Sequence, residues 1–391
     1  MNIKNFYKYS ALLLLVKSSI YALDFDFKTF GTIGAVYNDS NYIYRKDIFQ
    51  KDGSTKDISF KTDSIAGLQT SLYLNDNLSI IAQGILKNDY DDEIRAKLDW
   101  AYIKYDTNEN ISLKVGRIRT PYYNNSENLN IGYSNLMIRE SVEVYGQVPF
   151  SSFNGAMLKY TNTIGNFFYA LEAGGGIEKL IVPIHSLHQD VNVDIDDLYT
   201  LNLTFGTNII EFRATYLQAD ISATNASLNY LFSSLKGAGL NELASKYEFV
   251  DKKSKYLGYG VFIDYNNIIF NSEYGQRRIP SYFADVHGYY ATLGYNFEKT
   301  IPFITYAKSK MDVPTYEAST PSADLNAILR AQNLAQSSTT LGVKQYINKN
   351  IDIKLQYEHI VPKGEHGSYH LNTGITPHDM NVFSFAMDFI F

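Results

Sequence analysis

Seven times along this chain, two runs of alternating apolar and polar residues are joined by a turn of two to four residues rich in Asn, Asp, Thr or Gly. Thr62 to Leu74 turns at Asn75-Asp76-Asn77 into Leu78 to Lys87, and Tyr256 to Tyr265 turns at Asn266-Asn267 into Ile268 to Arg278. Trp100 to Asp106, Ser152 to Asn162, Leu198 to Gly206, Tyr289 to Phe297 and Thr339 to Ile347 are each followed in the same way by a partner run. Period two places successive side chains on opposite faces of a strand, and Asn, Asp and Gly tolerate the positive φ that a tight hairpin needs. Between hairpins the connections are longer. With Phe25 to Tyr37 at one end and Val382 to Phe391 at the other, the pattern predicts about sixteen strands, seven short turns and eight long loops. A sandwich has no reason to gather every long connection at one end, whereas a closed antiparallel transmembrane β-barrel does.

The faces of these strands carry the same message. Ile351, Ile353, Leu355 and Tyr357 oppose Asp352, Lys354, Gln356 and Glu358, and Ile210, Phe212 and Tyr216 oppose Glu211 and Arg213. Charge on the inward parity of about sixteen strands implies a water-filled lumen. The mean hydropathy of −0.21 beside 33 tyrosines and 23 phenylalanines suits strands that are apolar on one side only. No run approaches the ~18 apolar residues of a spanning helix. Ala11 to Val16, behind Lys4 and Lys8 and ahead of Ser18, Ser19 and Ala22, reads as a secretory signal peptide over residues 1 to 22, leaving residues 23 to 391 as one barrel domain. Its removal takes away three lysines and no acid, moving the formal charge from −6 to −9 and arguing against a nucleic-acid partner. With no cysteine there is no disulfide framework.

Helical spacing appears in two connections, Ala226 to Ala244 and Ser322 to Gln336, expected to lie over the mouth of the barrel. Asp39 to Ser59 reads as a polar loop. His185, His188, Asp190, Asp194, Asp196 and Asp197 crowd the fourth loop, and His359, His366, His370 and His378 the eighth. Charged external loops account for both groups, and no metal or cofactor is assigned. No serine or aspartate beside a histidine stands out as a catalytic set, so no enzyme is expected.

The last run, V-F-S-F-A-M-D-F-I-F, puts Phe383, Phe385, Phe389 and Phe391 on one face. It resembles the closing strand of Gram-negative outer-membrane barrels, in which such a pattern is the mark read by the barrel-assembly machinery. The third external connection, Pro121 to Phe150, carries too many apolar residues (Leu129, Ile131, Leu136, Met137, Ile138, Val142, Val144, Tyr145) to stand in solvent and must pack on something. Strand count and this loop are similar to those of the sixteen-stranded general porins. That resemblance implies a homotrimer in outer-membrane lipid and lipopolysaccharide, with the third loop folded into the barrel. It also implies passage of small hydrophilic solutes through a constriction where loop acids (Glu127, Glu140, Glu143, with Arg139 among them) face wall bases. Candidate wall bases are Arg117, Arg119, Arg213, Arg277 and Lys354. Arg117 and Arg119 share the parity of the outward Leu113 and Val115, so either a bulge at Gly116 changes the phase or they sit above the hydrocarbon. A substrate-selective channel and a loop-displaying adhesin or receptor are the alternatives.

Overall fold

The computed structural model describes residues 24–89, 91–148, 150–184, 189–312, 322–363 and 378–391; the signal peptide expected over 1–22 lies outside them. Sixteen antiparallel strands close on themselves, each paired with its sequence neighbours and the first with the last. They are β1 Asp24–Asn38, β2 Ile65–Asn75, β3 Leu78–Asn88, β4 Ile94–Asp106, β5 Ile111–Arg119, β6 Ser152–Ile164, β7 Phe167–Ile184 and β8 Gln189–Gly206. The second half comprises β9 Ile210–Thr224, β10 Lys252–Tyr265, β11 Ile268–Arg278, β12 Val286–Tyr295, β13 Thr300–Met311, β14 Gln336–Tyr346, β15 Ile351–Pro362 and β16 Met380–Ile390. Closure leaves no unpaired edge, so every strand can satisfy its backbone groups inside a bilayer. Phe391 extends the seam: its N–H donates to the Thr29 carbonyl (2.8 Å) and its own carbonyl accepts from Thr29 (2.7 Å).

Outward positions form an apolar belt around the barrel, with Leu68, Ile103, Leu158, Leu203, Leu293 and Leu355 all exposed. On β16, Phe383, Phe385 and Phe391 belong to it, while the Phe389 ring lies over Gly31, where a Cβ would meet it at 2.3 Å. Among the described residues no helix is long and apolar enough to cross a membrane; the crossing is made by strands.

Two connections expected to be long are short. β4 begins at Ile94, and β7 and β8 run to Ile184 and from Gln189, so Asp190, Asp194 and Asp196 are strand residues. Above the belt, alternation continues with charged side chains on the outward face, as in Lys179 paired with Asp194 (2.9 Å). Hydrogen bonding between strands does not need an apolar face once the strand is in water, so a charged hairpin there has the composition of a loop. His185, His188, His366 and His370 lie outside the described residues. No group of three or more metal-ligating side chains occurs among those that are described.

The helical connections take the form of Ala226–Gly237, Asn241–Tyr247 and Ala323–Ala331. The first is capped by Asn225, whose side chain accepts from the Leu228 N–H, and the last by Ser322, which accepts from the Leu325 N–H. The single helix expected over 226 to 244 is two, broken around Gly239 at φ 80°. Leu228, Phe232, Leu235 and Tyr247 pack with Phe249, Tyr282 and the tops of β8 and β9, as part of the same apolar cluster that holds Tyr122, Tyr123, Val144 and Phe153.

Candidate functional site

The connection between β5 and β6 enters the barrel, and its course is set by side chains of the wall. At its start Arg213 of β9 donates to the Pro121 carbonyl (2.9 Å), and Glu273 of β11 accepts from the Asn124 N–H (3.0 Å) and the Tyr145 hydroxyl (2.7 Å). Tyr123 stacks on Tyr145 at 4.2 Å and meets Tyr256 edge-on at 5.8 Å. The loop then crosses to the far wall. Lys354 of β15 donates to the Gly132 carbonyl (2.6 Å), Lys344 of β14 to the Tyr133 (2.5 Å) and Asn135 (3.2 Å) carbonyls, and Gln356 accepts from the Ile138 N–H (3.0 Å). Arg139 binds Asp63 and donates to Ser384 (2.7 Å). On the return, Gln336 donates to Glu143 (2.8 Å) and Arg277 of β11 to the Gln147 carbonyl (2.7 Å).

Beneath the Gly132 turn lie four nearly fully buried charges, Lys344 with Asp352 (3.2 Å) and Lys354 with Asp388 (2.9 Å). Loop carbonyls take up protons of both ammonium groups and the Thr32 hydroxyl donates to Asp388, while the Asp352 carboxylate is held by the Lys344 charge alone, without a hydrogen bond. Gly132 is required for this approach, because a Cβ there would lie 2.0 Å from Asp388 Oδ1 and 2.5 Å from Thr32 Oγ1.

What the loop leaves free is a cavity of about 240 Å³ against the wall of β2 to β5, roofed by Lys46 to Gln50 of the first loop. Loop residues Leu129, Asn130, Glu140, Val142 and Tyr145 form one side, and Asp63, Ile85, Lys87, Lys97, Asp99 and Arg119 the other. Six bases line it (Lys46, Lys87, Lys97, Arg117, Arg119, Arg139) against four acids (Asp47, Asp63, Asp99, Glu140). Burial pushes the Glu140 carboxyl up to about 7 despite the hydrogen bond from Asn125 (2.7 Å). Burial also raises Glu143 and lowers Lys46. Asp47 is lowered: burial opposes its charge, but the Lys87 ammonium at 3.1 Å outweighs it.

The structure thus sorts the residues expected at the constriction into two groups. Arg213, Arg277 and Lys354 grip loop carbonyls on the docked side instead of facing the loop across open space. Glu143 is buried among those docking contacts, and Arg139 is buried with its guanidinium 5.0 Å over the Tyr44 ring. Glu127 is exposed, 3.9 Å from Lys114. Glu140, Arg117, Arg119 and, from its buried position, Arg139 line the cavity. Arg117 and Arg119 do not change phase: β5 pairs with β6 in unbroken register through both, and the irregularity lies one strand away. The pairing of β3 with β4 shifts at Gln83/Gly84, leaving Asp99 as an extra residue, and Arg119 reaches it (3.0 Å) with its guanidinium 5.1 Å over Trp100. Gly116 keeps its register with Tyr102 and Gly155, its φ of 137° serving a close approach to the Ala101 carbonyl. Arg117 stays on the parity of Val115, near the rim, bound to Glu178 (2.6 Å).

Lys46, Lys87 and Lys97 were not among the expected residues. The first loop, read as polar, inserts Tyr42 and Tyr44 into a core with Val36, Ile360, Met380 and Val382. The signal was available: Tyr42, Ile43, Tyr44, Ile48 and Phe49 make this loop too apolar for solvent, the same argument that brought in the third.

No family model matches the chain, and no curated protein sequence does. Solved structures do. The trimer form of the in-vitro folded outer-membrane protein OmpT of Vibrio cholerae aligns over 95% of this chain and 100% of its own at 12% identity, TM-score 0.57. OmpF of Salmonella typhi, in complex with daunomycin, covers 94% and 97% at 14% identity, TM-score 0.56. An anion-selective porin from Comamonas acidovorans covers 94% and 100% at 10% identity, TM-score 0.57. At such identities the likeness is one of fold, and the fold is that of the sixteen-stranded outer-membrane porins.

Proposed function

We propose that this chain forms a water-filled channel in the outer membrane for passive diffusion of ions and small hydrophilic solutes, without catalysis or cofactor. The observation that carries the reading is the cavity left between the third loop and the β2 to β5 wall, charged on both sides in a barrel that is apolar outside. A field across a narrow passage orders polar solutes without binding them tightly. The signal peptide over 1–22 would direct export, and Phe383, Phe385, Phe389 and Phe391 would present the closing strand to the assembly machinery. Assembly as a homotrimer in lipid and lipopolysaccharide completes the proposal.

A second reading, a channel selective for organic anions, is favoured by the surplus of bases around the cavity. One experiment serves both: planar-bilayer recording of the purified barrel in a salt gradient. Open steps in groups of three support the trimeric channel, and a reversal potential toward the chloride value supports the anion reading. Silence from folded, heat-modifiable protein overturns the channel and leaves the loops as the working surface.

A further inference from the structure

Every strand pair in this barrel joins neighbours in the chain except one, β1 with β16. That seam pairs Thr32 with Asp388, 356 positions away. It carries the largest loop-closure cost in the molecule, and no turn or loop ties its two strands together once they meet. β1 also brings small residues to it, with Gly31, Gly34 and Ala35 standing opposite Phe389, Ala386 and Phe385. A seam so built gains from any part of the chain that grips both of its strands.

The third loop lies along this seam on the lumen side and engages both strands at three points. Ile131 packs into the cluster that Phe30 of β1 shares with Ile390 of β16. Gly132 rests on the Thr32 and Asp388 side chains, which bond to each other across the seam, and its carbonyl takes a proton of the Lys354 ammonium that also holds Asp388 (2.9 Å). Arg139 spans the seam outright. One Nη binds Asp63, which lies against Gly34 of β1, and the other donates to Ser384 of β16 (2.7 Å). Arg139 and Asp63 are both buried, so separating them strands two charges away from water, a penalty that a surface pair does not carry. At the two ends of the loop the grips come from single strands, Arg213 of β9 on the Pro121 carbonyl and Arg277 of β11 on the Gln147 carbonyl.

We propose that the third loop is the fastening of the barrel seam. Through Ile131, Gly132 and Arg139 it holds β1 against β16 from inside, and the barrel opens between these two strands when that grip is lost. The contacts exist only while β1 and β16 stand side by side, so docking of the loop and closure of the barrel stabilise each other. This role is independent of whether the barrel conducts.

The test is amide hydrogen exchange, read by mass spectrometry on the full barrel folded in detergent. Wild type is compared with Asp63→Asn/Arg139→Gln, which removes both charges of the span. Exchange in residues 30–38 and 382–390 should accelerate about tenfold or more, while β8 to β10 keep their wild-type rates. An Arg277→Gln control, which releases the loop at β11, should leave the seam slow. The chain has no cysteine, so Ala35→Cys with Phe385→Cys, at register partners of β1 and β16, adds a single disulfide that closes the seam without the loop. In the double-variant background this disulfide should restore slow exchange. Where the double variant does not fold, Ile131→Ala, which trims the contact with the Phe30 cluster, is read in the same way. An unchanged seam overturns the proposal, as does equal acceleration in every strand. Acceleration of the seam by Arg277→Gln to the same degree, or a disulfide that restores nothing, overturns it too, because the loop would then act on the barrel as a whole.

Discussion

The two halves of the lumen wall use the same residue types for opposite ends. On β14 and β15 the bases are buried: Lys344 and Lys354 are 2% and 1% exposed and spend their protons on carbonyls of the inserted loop and on Asp352 and Asp388. On β2 to β5 the lysines are part-exposed, with Lys87 held by Asp47 at 3.1 Å and Lys97 by Asp89 at 2.5 Å, and they border the cavity. A buried charge that loses its partner is penalised heavily, whereas a hydrated one is nearly indifferent to its partner's loss. One half therefore sets where the loop lies, and on the channel reading the other would set what the cavity admits.

The sharpest way to break this division is Lys354→Met, which strands Asp388 in the wall and frees the Gly132 carbonyl. A loss of about 3–5 kcal/mol is expected in denaturant unfolding, with larger and noisier single-channel steps as the loop undocks. Adding Asp388→Asn should recover much of the stability, since the uncompensated charge is then gone. Gly132→Ala tests the same contact from the loop side. Its Cβ cannot fit beside Asp388, so the turn must shift, at about 1–3 kcal/mol, with the change again read in conductance.

On the open half the expectation inverts. Replacing Lys46 and Lys87 by Gln should cost less than about 1 kcal/mol each, yet lower the chloride-to-potassium permeability ratio severalfold, as measured by reversal potential. The smallest effect concerns Glu140. Its carboxyl is raised to about 7, so it is largely neutral at pH 6 and charged at pH 8. Cation permeability should therefore rise over that window by about twofold or less in the wild type and stay flat in Glu140→Gln. The sign for folding is the same argument reversed. A raised carboxyl favours the folded state fully below its ordinary range, and that contribution is lost as pH rises through about 7.

The barrel was legible because its determinants are local. Ile351 to Glu358 alternates whatever stands beside it, and Asn266-Asn267 turns with both residues at positive φ, 48° and 68°. Legibility failed where water replaces lipid. The charged outward face of Lys179 to Asp194 has the composition of a loop and the hydrogen bonding of a strand. It failed also at Arg119, because its partner Asp99 is the extra residue of a different strand. The inserted loop was evident from its apolar content, but not its route.

Sequence alone determined the period of the strands, their pairing through short turns, and an apolar exterior around a charged interior, because each depends on residues one or two positions apart. Which interior charges are buried and which border the passage was decided only by tertiary structure. The deciding contacts join Gly132 to Lys354 and Arg139 to Ser384, 222 and 245 residues apart, and no spacing along the chain encodes a hydrogen bond between a carbonyl and a lysine that meet only when the barrel has closed.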